Sequence, residues 1–215
     1  MFAVKKANIK LLKTISVYKP EINSKDSKNR NALFYGINSS IGDNPEFIIE
    51  LIKNGINVNE PEIYLPSENI EGHSPLTLAA KLNYKNIVKI LLENSADPNY
   101  QVKSTLNCCL HYAILKNSEE MTRMLIESKA NINILNKNDE TPINMALQGS
   151  NVYIYWLLAN ENEKFRIQKE VSKMVQESEI IDRKNCSFEN LKNILDKNLK
   201  INLISNESKQ LYFYL

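Results

Sequence analysis

Apolar residues recur along this chain with helical spacing, in short segments separated by polar turns. Leu76, Ala79 and Ala80 lie at positions i, i+3 and i+4, which places them on one face of a short helix. After a polar break, residues 86–92 carry a second and broader apolar stripe. A thin helix pair of this kind cannot bury both of its apolar faces alone. The pattern therefore predicts helix pairs that are stabilised by stacking on neighbouring pairs.

The same pattern returns at a nearly constant interval. Leu76 and Leu110 are 34 residues apart, and Leu110 and Ile143 are 33 apart. Leu33 lies 43 residues before Leu76, which is one period plus an insertion. A second landmark runs in phase with the first, because asparagines close the units at Asn23, Asn59, Asn99, Asn133 and Asn202. A fixed period of this length predicts a repeat protein.

The residues at the repeated positions resemble the ankyrin repeat, in which a helix opens with Thr-Pro-Leu-His and a later loop ends in Gly-Ala-Asp-Val-Asn. The similar segments are Ser74-Pro75-Leu76-Thr77, Cys108-Cys109-Leu110-His111, Thr141-Pro142-Ile143-Asn144 and Ala96-Asp97-Pro98-Asn99. The resemblance is strong over 26–160 and weaker over 1–25 and 161–215. It implies an all-α solenoid of stacked helix-turn-helix pairs with short finger loops.

We expect a single array over residues 1–215. Its units are 1–25 (partial), 26–68 (with loop insertions), 69–102, 103–135, 136–168, 169–203 (degenerate) and 204–215 (partial). Helices are also expected around 165–175 and 188–195. Because such arrays normally end in polar caps, the apolar segment 211–215 predicts a fragment of a longer protein or a docking surface there.

Two features depart from the family pattern. Insertions at 39–44 and 60–70 fall in loops, where they either contribute to binding or reflect neutral drift. The family places glycine where the second helix ends, because that position needs a positive φ. Gly55 keeps it, Ser95, Lys129 and Lys19 replace it, and Asn198 is a tolerated substitute. A non-glycine residue held there costs about 1 kcal/mol, so the array should be less stable than a consensus one.

Composition limits the function classes. The 27 Lys and Arg against 25 Asp and Glu argue against a dedicated nucleic-acid binder. No apolar run approaches the length of a membrane span. Three cysteines imply no disulfide framework. We therefore expect an intracellular, cytoplasmic protein, or one delivered into a host cytoplasm if it comes from a pathogen.

The sequence suggests no cofactor and no metal. Cys108, Cys109 and His111 are a candidate nucleophile–base cluster. The resemblance instead makes His111 a structural residue that links neighbouring repeats by hydrogen bonds, and this is the interpretation we adopt. A zinc site needs about four ligands, and Cys186 lies far along the array. We expect no enzymatic activity.

The resemblance also implies where a protein partner binds, namely at the finger tips and the exposed ends of the first helices. The predicted partner-binding residues are Arg30 in unit two; Ile70, Glu71, His73, Lys81 and Leu82 in unit three; Asn107, Leu115 and Lys116 in unit four; and Lys137, Asn138, Glu140 and Gln148 in unit five. His73 is expected to be exposed on a finger. Ile70, Leu82 and Leu115 either mark a contact surface or tuck between fingers.

These inferences predict a monomeric, non-catalytic scaffold that binds a protein partner on a concave face. The alternative is a targeting module of a larger effector or enzyme whose catalytic domain lies outside this chain. Nucleic-acid binding is a third and weaker hypothesis.

Overall fold

The computed structural model describes residues 9–18, 20–39, 42–149 and 152–159. They belong to two compact units that divide between Glu140 and Thr141. The helices of the first unit are α1 (Ile9–Ser16), α2 (Ala32–Ile37), α3 (Pro45–Lys53), α4 (Pro75–Lys81), α5 (Lys85–Glu93), α6 (Cys109–Leu115) and α7 (Glu119–Glu127). The second unit contributes α8 (Pro142–Gln148) and α9 (Val152–Leu158). Helices that the sequence predicts beyond residue 159 lie outside the described residues.

The first compact unit, which contains several repeat units, has two layers of helices. The first helices of successive pairs, α2, α4 and α6, pack side by side, and the second helices, α1, α3, α5 and α7, form the other layer. Within each complete pair the first helix packs on the second. This arrangement confirms the predicted all-α solenoid of stacked helix pairs.

The repeated leucines form the core between the layers. Leu33, Leu76 and Leu110 are all buried, with at most 1% of the side chain exposed. Ala79, Ala80 and other small residues let the helices approach closely, and both alanines are fully buried. Truncating a buried leucine of this kind to alanine costs about 2–5 kcal/mol, so these positions hold the array together.

The first helices begin with reciprocal hydrogen bonds. Ser74 Oγ accepts from the Thr77 N–H at 3.2 Å, while Thr77 Oγ1 accepts from the Ser74 N–H at 2.8 Å. In the next unit the Cys108 N–H donates to His111 Nδ1 at 3.1 Å. The histidine therefore replaces threonine in the same capping role, although both boxes depart from the family pattern.

The second helices end in residues with positive φ, as the sequence predicts. Gly55 has φ 81°, Ser95 has φ 63° and Lys129 has φ 61°. Two non-glycine residues are thus held in a conformation that glycine adopts without strain. Lys19 and Asn198 lie outside the described residues.

The asparagine landmark has a physical basis. Asn59 Oδ1 accepts from the Asp97 N–H at 2.8 Å, and Asn59 Nδ2 donates to the Ser95 carbonyl at 3.0 Å. Asn23 makes the same pair of bonds one unit earlier, and Asn99 accepts from Asn131 N–H at 2.7 Å one unit later. Each asparagine links its own loop to the loop of the next unit, which explains why this residue recurs in phase with the helices.

The 60–70 insertion contains a small hairpin that the sequence did not predict. β1 (Tyr64–Leu65) pairs antiparallel with β2 (Ile70–Glu71), and a 3₁₀ turn covers Pro66–Glu68. Ile70 is only 7% exposed, so of the two alternatives for this residue, a contact surface or a position tucked between fingers, the structure supports the second. The insertion at 39–44 lengthens the turn between the two helices of unit two. This turn covers residues 38–44, whereas the turn between α4 and α5 of unit three covers only residues 82–84.

Candidate protein interface

The finger loops share one backbone geometry, which a positive φ makes possible. Asn29, Gly72, Leu106 and Asp139 take equivalent places and have φ between 55° and 78°. In unit two the Asp26 N–H donates to the Arg30 carbonyl at 3.1 Å, and in unit five the Asn136 N–H donates to the Glu140 carbonyl at 3.0 Å. These bonds close tight turns.

Backbone hydrogen bonds join each finger to the next. Ile63 N–H donates to the Lys28 carbonyl at 3.0 Å, and the Ser104 N–H donates to the Glu71 carbonyl at 3.1 Å. The Lys137 N–H donates to the Thr105 carbonyl at 2.9 Å. Successive fingers of the first compact unit are therefore fixed side by side, so their side chains present one continuous surface.

Arg30 lies in a polar cluster on the first of these fingers. Its guanidinium donates to Asp26 Oδ2 at 3.0 and 2.9 Å, and the Tyr35 hydroxyl donates to the same oxygen at 2.6 Å. Burial acts to raise the pKa of Asp26, but the hydrogen bonds from Tyr35 and Arg30 lower it to about 2. Arg30 is thus half-buried and held in place, with its charge already paired by Asp26.

Glu71, His73 and Lys81 form a second cluster. His73 Nε2 lies 3.0 Å from Glu71 Oε2, and Lys81 Nζ lies 2.6 Å from Glu71 Oε1. His73 is only 3% exposed, so the prediction that it is an exposed finger residue is wrong. Its ring packs 5.8 Å from that of Tyr112, centroid to centroid, and its Nδ1 lies 3.3 Å from Thr77 Oγ1. Packing under the neighbouring unit buries this side chain, and a single-unit pattern does not show that.

Burial also shifts the acid–base behaviour of this cluster. Burial, with the nearby Lys81 charge, lowers the pKa of His73 from 6.5 to about 4, although Glu71 opposes the shift. Burial raises the pKa of the neighbouring Glu62. His73 is therefore neutral at physiological pH, and the charged side chains left at the surface of the cluster are Glu71 and Lys81.

Unit four contributes Asn107 and Tyr112 beside this cluster. Burial raises the pKa of the Tyr112 hydroxyl. Hydrogen bonds with the side chains of Thr105 and Asn107 act in the opposite direction. Sequence reasoning selected Asn107 but missed Tyr112, Tyr35, Asp26 and Glu62. The missed residues lie three to eight positions from the nearest selected ones, and only the folded chain brings them beside the fingers.

The remaining predicted residues differ in exposure. Leu115 is 58% exposed and Lys116, Lys137 and Asn138 are also exposed, whereas Leu82 and Glu140 are half-buried. The Asn136 side-chain amide donates to Glu140 Oε2 at 3.2 Å, which holds that carboxylate. Gln148 is exposed at the end of α8 in the second compact unit.

The Cys108, Cys109 and His111 cluster is structural in the folded chain. All three side chains are fully buried. His111 Nδ1 accepts from the Cys108 N–H, and His111 Nε2 lies 3.1 Å from the Glu140 carbonyl of the next unit. Nδ1 thus caps the helix within unit four, and Nε2 links unit four to unit five, as the resemblance implies. Burial raises the pKa of both thiols, which disfavours the thiolate that a nucleophile needs.

Within the described residues, no group of three or more His, Cys, Asp or Glu side chains gathers as a metal site would require. None of the described helices combines the length and the apolar character needed to cross a bilayer.

The stacked helix pairs, the linking asparagines and the joined fingers define a helical repeat protein. Two family descriptions match the chain: Ankyrin repeats (3 copies) over residues 1–102 and Ankyrin repeats (many copies) over residues 110–154. The chain belongs to the ankyrin repeat family, whose repeats mediate protein–protein interactions.

Curated relatives match this chain over part of its length. It is 28% identical over 149 residues to the E3 ubiquitin-protein ligase KEG of Arabidopsis thaliana, covering 60% of this chain and 9% of the relative. It is 31% identical over 111 residues to human palmitoyltransferase ZDHHC13, covering 49% of this chain and 18% of the relative. A putative ankyrin repeat protein of fowlpox virus is 30% identical over 138 residues, covering 61% of this chain and 29% of the relative. The matched segments thus span less than a third of each of these relatives.

Proposed function

We propose that this chain is a non-catalytic scaffold that binds a protein partner on its fingers and first helices. The observation that carries the proposal is the joined row of fingers beside the exposed ends of α4 and α6. Leu115 is 58% exposed there, next to the exposed Lys116, although the opposite sides of the same helices are buried. A large apolar side chain on a rigid surface is a typical anchor for a partner.

The predicted residues enter this proposal in two groups. The exposed residues are Leu115, Lys116, Lys137, Asn138 and Gln148, and the half-buried residues that shape the surface are Arg30, Glu71, Lys81, Leu82, Asn107 and Glu140. His73 and Ile70 are excluded as direct contacts because they are buried. We further propose a cytoplasmic location and a monomeric chain that binds no nucleic acid and does not insert into a membrane.

A specific observation favours a second candidate, a targeting module of a larger protein. Two of the relatives are named as enzymes, and this chain matches 9% and 18% of their lengths. Under this proposal the repeats select the target and a separate domain acts on it. The gene sequence on both sides of this chain distinguishes the two candidates. A stop codon directly after residue 215, together with an upstream in-frame stop codon and no start codon between it and Met1, removes the second.

The scaffold proposal is tested by affinity capture with the purified chain, followed by reconstitution with each captured protein in purified form. Leu115→Asp, alone and with Lys116→Glu, should weaken reconstituted binding at least about tenfold, because an apolar anchor becomes charged. Lys89→Glu, at an exposed position on α5, is the matched control and should bind as the parent chain does. Circular dichroism establishes that all variants are folded. Equal binding by all of them would contradict the proposed surface.

A further inference from the structure

The finger of unit four is built differently from its neighbours. The Val102 N–H donates to the Asn107 carbonyl at 3.0 Å, and the Leu106 N–H donates to the Val102 carbonyl at 2.7 Å. The turn is therefore one residue longer than those closed by Asp26 with Arg30 and by Asn136 with Glu140. Val102 is buried and has no side-chain acceptor to cap the turn, which Asp26 and Asn136 provide in their fingers.

Leu106 is strained at the tip of this finger. It has φ 55°, where the equivalent residues are Asn29, Gly72 and Asp139. Those three residue types tolerate positive φ, whereas a leucine there costs roughly 1–2 kcal/mol. Leu106 is 40% exposed, so burial does not fully offset the cost. A conformational cost without compensating burial indicates that the side chain serves something other than folding.

Polar atoms in the same finger point to the same conclusion. Ser104 Oγ and Asn107 Oδ1 are buried and have no hydrogen-bond partner within the described part of the chain. An unsatisfied buried polar atom costs about 1–3 kcal/mol. Three unfavourable features, the positive φ of Leu106 and the two unpaired polar atoms, thus coincide within residues 102–107. Such locally destabilising features are typically found at functional sites.

The residues around Leu106 indicate what kind of ligand this finger binds. The Gln101 side-chain amide donates to the Leu106 carbonyl at 2.9 Å and to the Leu135 carbonyl at 2.8 Å, which holds the two segments together. Leu135 is 50% exposed. Lys103 and Lys137 flank the pair, and both side chains are exposed.

The two lysines lack a carboxylate partner among the described residues. Lys103 Nζ lies 5.9 Å from the centre of the Tyr100 ring, and no salt bridge engages it or Lys137. The nearby carboxylate of Glu71 is paired with Lys81, and Asn136 holds that of Glu140. Asp139 is an exposed carboxylate two residues from Lys137 and opposes the positive charge in part.

We propose that Lys103, Leu106, Leu135 and Lys137, the finger-four surface, bind an acidic segment of a protein partner. An apolar side chain of that segment packs on Leu106 and Leu135, and flanking carboxylates pair with Lys103 and Lys137. This inference rests on the proposed scaffold function and adds a contact for an acidic segment on the fingers, separate from the anchor at Leu115.

Selection of displayed peptides by the purified chain tests the proposal. One library contains Asp, Glu, Gly, Ser, Leu and Phe, and a matched library contains Lys and Arg in place of Asp and Glu. The acidic library should yield binders whose affinity, measured by fluorescence anisotropy, falls as salt rises. Recovery of binders from the basic library alone, or from neither library, overturns the proposal.

Variants of the finger locate the binding. Leu106→Asn should weaken the selected acidic peptides at least about tenfold. The variant should unfold at the same or a higher temperature than the parent, because asparagine tolerates the φ of this position, so loss of binding is separable from unfolding. Lys103→Glu with Lys137→Glu should also abolish binding, whereas Asp139→Asn should strengthen it.

Leu115→Asp is the variant that separates this inference from the scaffold proposal. Acidic peptides that bind Leu115→Asp normally and lose affinity for Leu106→Asn support the finger-four surface. Peptides that lose affinity for Leu115→Asp and bind Leu106→Asn normally overturn it, while the scaffold function stands.

Discussion

Asp43 caps a helix of the following unit, because its carboxylate accepts hydrogen bonds from the backbone N–H groups of Asn86 at 3.0 Å and Ile87 at 2.9 Å. These two groups lie in the first turn of α5, whose own N-cap residue, Tyr84, makes no side-chain capping bond. The extended turn between α2 and α3 therefore supplies a cap that the next unit lacks. This gives at least part of that insertion a structural role.

Asp43→Ala should lower the free energy of unfolding by about 1 kcal/mol, since two N–H groups at a helix start lose their acceptor. Urea denaturation followed by circular dichroism measures this change. Asp43→Asn is the matched variant; it keeps one oxygen acceptor and should be intermediate. An Asp43→Ala variant as stable as the parent would show that the contact does not stabilise the array.

Ser95→Gly and Lys129→Gly should each stabilise the array by about 1 kcal/mol, because both residues are held at φ near 60°. The measurement is the thermal midpoint of each single variant. Asn94→Gly is the control at the preceding position, where φ is −106°; it should give no stabilisation. A lower midpoint for both glycine variants would contradict the repeat register.

Stability should fall as the pH is lowered from 6.5 to 4, in part because of His73. Its pKa is about 4 in the folded chain against an ordinary value of 6.5, so the folded chain binds fewer protons than the unfolded chain in this window. The contribution is fully present above pH 6.5 and amounts to roughly 3 kcal/mol, lost by pH 4.

His73→Gln isolates that contribution, because burial also lowers the pKa of His111 and adds a change of the same sign. Urea denaturation of both proteins at several pH values gives the difference between them. The loss of stability between pH 6.5 and 4 should be smaller in the variant than in the parent. If the free energy of unfolding fell equally with pH in the two proteins, protonation of His73 would not destabilise the folded chain.

Asn59→Asp should destabilise the array by about 1–2 kcal/mol. The Asn59 amide donates to the Ser95 carbonyl, and a carboxylate placed there would face that oxygen without a proton to share. The same change at Asn44, whose side chain caps α3 within its own unit by accepting from the Glu46 N–H at 3.0 Å, should leave stability unchanged or slightly raised. Equal stability of the two variants would mean that the asparagine links do not couple the units.

The sequence alone predicted the helices of units two to five, the core leucines and the strained residues at the helix ends. Each depends on local periodicity or on one residue's backbone preference, and the repeat supplies several independent copies of the same signal. The exposure of His73 was predicted incorrectly, and for Ile70 the sequence left a contact position and a buried position open. Burial of these two residues depends on the neighbouring unit and on a hairpin inside an insertion, and neither has a counterpart in the repeated pattern.

What the sequence determined by itself is therefore the repeating helix pair and the family it belongs to, because hydrophobic spacing and turn residues act over a few positions. Only the tertiary structure decided which fingers touch, that Asp43 caps a helix through residues 43 and 44 positions away, and that Leu106 stays exposed in a strained conformation. These contacts join residues of different units across inserted loops. Their geometry is set by how the units stack, which the repeat period alone does not specify.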